Sequence, residues 1–167
     1  QIAAAADVSP RTFSRYFPTK EAVIFAIIED TAAFVADELT RLPTDINEFE
    51  AMLRAHLKAV QPGRDGRPTP IFHRMAALIR IVNSSASLAV TNIPYRQQAD
   101  HFPTVIAVAN RMALPRDHDA VHMVLETWTV VMNTATRGLG TPGHPPIEPE
   151  IVAARISAAY DLFGNGR

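Results

Sequence analysis

Residues 7–23 read DVSPRTFSRYFPTKEAV, and this stretch decides the fold of the first part of the chain. Ser9 followed by Pro10 predicts the start of a helix. The serine hydroxyl can accept a free backbone N–H of the first turn, and the fixed φ of proline suits the first helical position. Pro18 stops this helix, which we therefore predict over residues 10–17.

The side chains of this short helix divide into two faces. Phe13 and Phe17 fall on one face at helical spacing and can anchor the helix from behind. The opposite face presents Arg11, Thr12 and Arg15. An alanine-rich run precedes the helix, so the pattern is helix, short turn and second helix with outward polar residues, which indicates a helix-turn-helix. A capped surface helix with two solvated arginines is the alternative interpretation of the same residues.

The wider stretch IAAAADVSPRTFSRYFPTKEAV, residues 2–23, resembles the DNA-binding segment of the TetR family of transcriptional repressors. The positions that match the family pattern are Ile2, Ala3, Ala6, Val8, Ser9, Thr12, Tyr16, Phe17, Lys20, Glu21 and Val23. Arg11 and Ser14 depart from it, since the family often has Gly and Tyr there. The variant is similar to an actinobacterial subgroup that includes acyl-CoA-responsive regulators. The resemblance covers about 23 of the 167 residues.

This resemblance implies a DNA-binding role for one group of residues and a way in which they divide the work. The expected DNA-binding residues are Ser9, Pro10, Arg11, Thr12, Ser14, Arg15, Tyr16 and Lys20. We expect the outward face of the helix to reach bases or nearby phosphates in the major groove. Tyr16 and Lys20 are expected to contact phosphates, which position the protein without reading sequence.

Charge is distributed in agreement with this expectation. Residues 1–20 carry three cations and one acid, a net charge of +2, which leaves −3 for the remainder of a chain whose net charge is −1. A net charge of −1 argues by itself against a nucleic-acid-binding protein, so the local concentration is what supports one. The chain opens with Gln1 inside the family motif, so we expect a first helix and a basic arm to precede it.

Composition excludes several classes of protein. The sequence has no cysteine, which excludes disulfides, thiol catalysis and cysteine-based metal sites and fits a cytoplasmic location. The sequence contains no run of 18 apolar residues, so it predicts no membrane span. The content of hydrophobic residues, 47%, is sufficient for a substantial core. We expect no cofactor.

The 13 prolines divide the chain into segments, and each long proline-free segment carries apolar residues at helical spacing. We predict helices within 19–42, 44–61, 71–93, 104–114, 117–138 and 149–163, with Pro94 and Pro103 breaking or kinking the segment 86–113. The predicted caps are Thr19, an Asp45–Glu48 capping box, Thr69, and Asp117 or Asp119. The fold class is therefore all-α: a helix-turn-helix domain with its connecting helix, residues 1–41, joined to a helical bundle, residues 42–167.

The apolar residues of the bundle admit two interpretations, a solid core or the lining of a cavity. The family resemblance implies an effector pocket between the central helices, and proline kinks can open such a space. The candidate ligand-binding residues are Phe72, His73, Met75, Ile79, Tyr95, Phe102, Ile106, Asn110, Trp128 and Met132. We expect the effector to be an apolar or acyl-bearing small molecule.

Motifs that carry enzyme chemistry are weak or missing. GLGTPG at 138–143 fits G-x-G-x-x-G in letters, but it follows a predicted helix rather than a strand, so it does not predict a phosphate cradle. His118 and His122 have a spacing that permits a metal, yet no third ligand is near in sequence. We find no nucleophile elbow and no phosphate-binding P-loop. The chain is thus expected not to be an enzyme, and no metal site is predicted.

Two functions are favoured after these exclusions, and a small all-α enzyme is the third and least favoured class. The first is a homodimeric DNA-binding regulator, expected to be a repressor released from a palindromic operator by a small molecule. The alternative is a helical ligand-binding or adaptor protein that no longer binds a specific operator. Arg11 and Ser14, the two departures from the family pattern, are what keep the alternative open. The helices at 117–138 and 149–163 are expected to form the dimer interface.

Overall fold

A computed structural model of the chain describes residues 20–84 and 101–164, with side chains from Ala22 onward. All regular elements of these residues are helices, which confirms the all-α prediction for them. They are α1 (Lys20–Arg41), α2 (Glu48–Val60), α3 (Pro70–Ser84), α4 (Pro103–Met112), α5 (Asp119–Thr136) and α6 (Pro149–Gly164).

The prolines mark helix starts as the sequence indicates. α3 begins at Pro70, and the Thr69 hydroxyl accepts a hydrogen bond from the backbone N–H of Phe72 at 3.3 Å, as predicted for a cap. Pro103 is the first residue of α4, so it begins this helix rather than kinking one. Pro94 lies outside the described residues.

Two predicted caps are wrong. The cap of α2 is Asn47 rather than the predicted Asp45, and its side chain accepts the N–H of Glu50 at 2.9 Å. The cap of α5 is His118 rather than either neighbouring aspartate, and its Nδ1 accepts the N–H of Ala120 at 3.1 Å. The starts of both helices therefore differ from the predicted ones, and the residue nearest the first free N–H groups supplies the acceptor.

Helix α2 lies at the centre of the described bundle and packs against each of the other five helices. α1 packs on α2, α3 and α4, whereas α5 and α6 form a pair that closes the other side. The core joins the two sides through fully buried side chains such as Leu39 on α1, Val60 on α2 and Ile156 on α6. None of the described helices is long and apolar enough to cross a membrane.

Candidate functional site

The predicted DNA-binding residues fall almost wholly outside the described part of the chain. Residues 9–16 precede it, and Lys20 is described only as the first backbone position of α1. What the structure does define is the support of this segment, since α1 continues directly from it.

Helix α1 is held against the bundle at several points along its length. Near its start, the rings of Phe25 and Phe102 meet edge to face, with centroids 6.3 Å apart. One turn later, Asp30 forms an ion pair with Arg74 of α3 at 3.3 Å, both side chains being more than half exposed. Phe102 immediately precedes α4, so α4 touches α1 close to the end that carries the DNA-binding segment.

The far end of α1 is held by a charged side chain from α4, Arg111, which is only 5% exposed. Its Nε–H donates to the carboxylate of Glu48 at 2.8 Å. Its two terminal nitrogens donate to four backbone carbonyls of the α1–α2 junction, those of Leu39, Leu42, Pro43 and Ile46, at 3.2, 3.1, 2.9 and 3.4 Å. A guanidinium has five N–H donors, and here each finds an acceptor.

Sequence reasoning missed Arg111. Its only local signal is a basic residue in the last turn of α4, which is ordinarily a solvated position. The carbonyls that it binds lie between 65 and 72 residues earlier in the chain. No spacing rule connects such positions, so the contact follows from the way α1 and α4 pack.

The predicted ligand-binding residues fall into two groups in the structure. Phe72, Met75 and Ile79 on α3 are buried, as is Phe102 before α4, whereas Ile106 on α4 is half-buried. Both helices pack on α1 and α2. His73 and Asn110 are exposed, and Tyr95 lies outside the described residues. The second group, Trp128 and Met132, lies on α5.

Trp128 is engaged in a buried polar pair with His56 of α2. Its indole N–H donates to His56 Nε2 at 3.2 Å, and the protonated Nδ1 of His56 donates to the Met52 carbonyl at 2.8 Å. Burial lowers the pKa of His56 from 6.5 to about 4, although the bond to Met52 acts in the opposite direction. The imidazole is therefore neutral, and both of its nitrogens are occupied. Tyr160 of α6 also packs against Trp128, with ring centroids 6.5 Å apart.

The sequence does contain a signal for His56. It lies four residues after Met52 and four before Val60, both buried, so it falls on the apolar stripe of α2. A histidine on such a stripe is expected to be buried and to need two partners. Its partner Trp128 is 72 residues away, and only the packing of α2 against α5 reveals it.

The glycine-rich stretch at 138–143 is a structural connector between α5 and α6. Gly138 has φ +75°, and a Cβ there would lie 2.5 Å from the His144 ring, so both the backbone and the close approach require glycine. Asn83 of α3 donates to the carbonyls of Thr136 and Leu139 at 2.9 and 3.0 Å, which ties the connector to the bundle. The backbone therefore turns back on itself here, and the stretch does not connect a strand to a helix as a phosphate cradle would.

Metal and pocket candidates are limited in the described part. Across residues 20–84 and 101–164 no three His, Asp or Glu side chains are grouped so that they could hold a metal ion.

A surface groove with a volume of about 340 Å³ runs between the end of α2 and the start of α6. Its lining includes Leu57, Pro62, Pro149 and Ala153, with Glu150 as the charged group. This groove lies apart from the predicted ligand-binding residues, none of which lines it.

Comparison with known proteins agrees with the motif at the start of the chain. Residues 1–27 match the family model described as bacterial regulatory proteins of the tetR family. The matched range ends within α1, and the all-helical architecture fits a TetR-like fold. No curated protein and no solved structure matches the chain. The family match supports a DNA-binding transcriptional regulator.

Proposed function

We propose that this chain is a cytoplasmic, homodimeric repressor that binds a palindromic operator and releases it when a small molecule binds the helical bundle. The observation that carries the proposal is the family match over residues 1–27, which runs into α1 and so connects the DNA-binding segment directly to the bundle. A ligand can act on DNA binding only if it binds one arrangement of the two recognition helices better than another.

The recognition helix supplies the DNA contacts in this proposal. The sequence pattern predicts Arg11 and Arg15 on its outward face, where a bidentate contact to guanine would discriminate against the wrong base by about 1–3 kcal/mol. Lys20 contacts phosphate, so Lys20→Ala should weaken binding to all DNA alike and reduce the salt slope by about one.

A gel shift with promoter DNA from the protein's own genomic neighbourhood tests this assignment. We expect the Arg11→Ala/Arg15→Ala double variant to lose specific binding. The control is Arg64→Ala/Arg67→Ala, which removes the same charge from the exposed loop between α2 and α3. An unchanged operator affinity of the first double variant would contradict the assignment.

Dimerisation through α5 and α6 is supported by exposed apolar side chains on these helices. Met123 and Val130 on α5 are 61% and 64% exposed, and Leu162 on α6 is 73% exposed. Met123 and Val130 are seven residues apart, so they share one face of α5. A single recognition helix reads too few bases to specify a site, whereas two related by a two-fold axis read half-sites about 34–36 Å apart or a multiple of that distance.

Light scattering at micromolar concentration measures the oligomeric state. The wild type should be a dimer, and Val130→Asp should shift it towards the monomer because an unpaired charge is costly in a buried interface. Arg64→Asp on the exposed loop is the control and should leave the dimer intact. A wild-type monomer would count decisively against this part of the proposal.

The effector is proposed to be an apolar or acyl-bearing molecule, such as a fatty acid or acyl-CoA, as in the subgroup that the motif resembles. Supporting this, Phe72 and Met75 on α3 and Phe102 just before α4 are buried, and both helices pack on α1. Methionine adapts to irregular ligands. Titrating fatty acids and acyl-CoAs against the protein–operator complex should release DNA, and Ile106→Trp, which adds bulk to a half-buried position of α4, should block release. The absence of binding by any of them would remove the effector from the proposal and leave DNA binding.

The alternative is a helical ligand-binding or adaptor protein without operator specificity. The departures at Arg11 and Ser14 from the family pattern favour it. The same gel shift separates the two functions. Binding that does not discriminate among sequences and disappears at moderate salt would favour the alternative, because such binding reflects phosphate contacts alone.

A further inference from the structure

We propose that Arg111 is a positioning residue for DNA binding: by joining the end of α4 to the end of α1, it sets the angle at which α1 carries the DNA-binding segment. The effect of Arg111 on DNA binding rests on the proposed DNA-binding function. Its structural part stands on the five hydrogen bonds of the guanidinium alone.

The chemistry of the contact makes the joint stiff. Arg111 lies between the Leu39 carbonyl, in the last turn of α1 where helix carbonyls carry partial negative charge, and Glu48, the first residue of α2. Its three nitrogens bind on both sides of the α1–α2 junction at once. The planar fork of arginine allows this, whereas the single ammonium of lysine cannot reach acceptors on both sides with comparable geometry.

The Arg111 contact lies at one end of α1, so a small tilt there displaces the opposite end of the helix by a larger distance. α1 has 22 residues, so it is about 33 Å long, and a tilt of about 10° at one end displaces the other by about 6 Å. The DNA-binding segment adjoins the end opposite Arg111. α4 also touches α1 near that end, through Phe102 and Phe25. A displacement of α4 must therefore carry α1 with it or break the bonds of Arg111.

The chain offers a matched control in Arg155 of α6. Its Nε–H donates to the Ala135 carbonyl at 2.6 Å and a terminal nitrogen donates to the Arg137 carbonyl at 3.2 Å. Arg155 thus caps the end of α5 by the same chemistry, and neither of the carbonyls that it binds belongs to α1. Losing it removes an arginine–carbonyl contact of the same kind but leaves the α1 joint intact.

The experiment measures a distance between α1 and α2, which changes when α1 tilts, and it needs no DNA. Because the chain has no native cysteine, spin labels can be placed at Glu29→Cys on α1 and Lys58→Cys on α2, both exposed positions. Labelled chain is mixed with excess unlabelled chain, so only the distance within one chain is measured. Arg111→Met should broaden or shift the distance distribution, Arg111→Lys should do so less, and Arg155→Met should leave it unchanged.

Operator affinity is the second measurement. If Arg111→Met leaves about one molecule in ten with α1 in place, operator affinity falls about tenfold. A folded Arg111→Met protein with unchanged distances would overturn the proposal, as would equal losses of affinity in Arg111→Met and Arg155→Met. If Arg111→Met does not fold, Arg111→Lys and Glu48→Gln decide it: a distance distribution like that of the wild type in both overturns it, and broadening in either supports it. If the wild type binds no operator, the proposed function fails, yet the distances still decide the role of Arg111.

Discussion

The bundle buries two polar centres, one around Arg111 and one around His56, and the two obtain their hydrogen-bond partners in different ways. Arg111 is a charged group at the junction of α1, α2 and α4, and four of its five acceptors are backbone carbonyls. His56 is a neutral group between α2 and α5, with one donor bond and one acceptor bond. Helix ends leave carbonyls without partners, whereas the middles of helices do not. A cation such as Arg111 can therefore be buried where helices end, whereas a neutral ring such as that of His56 suits the middle of a helix.

The two centres also connect different helices, so disturbing them should have different consequences. The Arg111 centre links α1 to the rest of the bundle and therefore bears on DNA binding. The centre of His56, Trp128 and Tyr160 joins α2, α5 and α6, the side of the bundle where we propose dimerisation. Disturbing the first should alter the position of α1, and disturbing the second should alter stability without that change.

The largest effect is expected from Arg111→Met. The substitution leaves Glu48 and several carbonyls without their partner, and breaking a buried ion pair in this way costs about 3–5 kcal/mol of the free energy of unfolding. Urea unfolding at one fixed protein concentration measures this change. Arg41→Met is the control, because Arg41 forms exposed pairs with Asp37 and Glu38, and such pairs contribute about 1 kcal/mol or less. Equal losses in the two variants would contradict the assigned importance of burial.

Acid should weaken the second centre. His56 has a lowered pKa of about 4 in the folded protein and takes up a proton near pH 6.5 when unfolded. Between these values the unfolded state binds more protons, so stability is complete above pH 6.5 and falls as the pH decreases towards 4. From this residue alone the free energy of unfolding should be about 2 kcal/mol lower at pH 5 than at pH 7.

Urea unfolding at both pH values of the wild type and of His56→Gln tests this dependence. The glutamine variant should lose the part of the pH dependence that comes from His56. His73→Gln, which changes an exposed histidine, should retain it. A wild type and a His56→Gln variant with identical pH dependence would show that His56 is not the responsible group.

A smaller effect is expected from Arg155→Met, which tests whether the two arginines differ in their contribution to stability. Arg155 is partly exposed and binds two carbonyls at the end of α5, so water can replace its bonds in part. We expect a loss of about 1 kcal/mol in the free energy of unfolding, measured in urea beside Arg111→Met. A loss as large as that of Arg111→Met would mean that the two joints are energetically equivalent.

Much of the fold could be predicted because its causes are local. Proline cannot continue a helix from within, so Pro70, Pro103 and Pro149 begin α3, α4 and α6 close to the predicted positions. The caps were harder to predict. Asparagine, aspartate and histidine all offer an acceptor near a helix start, and the choice of Asn47 and His118 depends on where the first turn begins.

The helical class, the approximate bounds of the helices and the family motif at residues 1–27 follow from the sequence, because these depend on neighbours within a few turns. The partners of Arg111 and His56 follow instead from how the helices pack. Their acceptors and donors lie far away in the chain, except for the Met52 carbonyl one turn before His56. A buried polar group must find partners in space, and spacing along the chain does not record which helices meet.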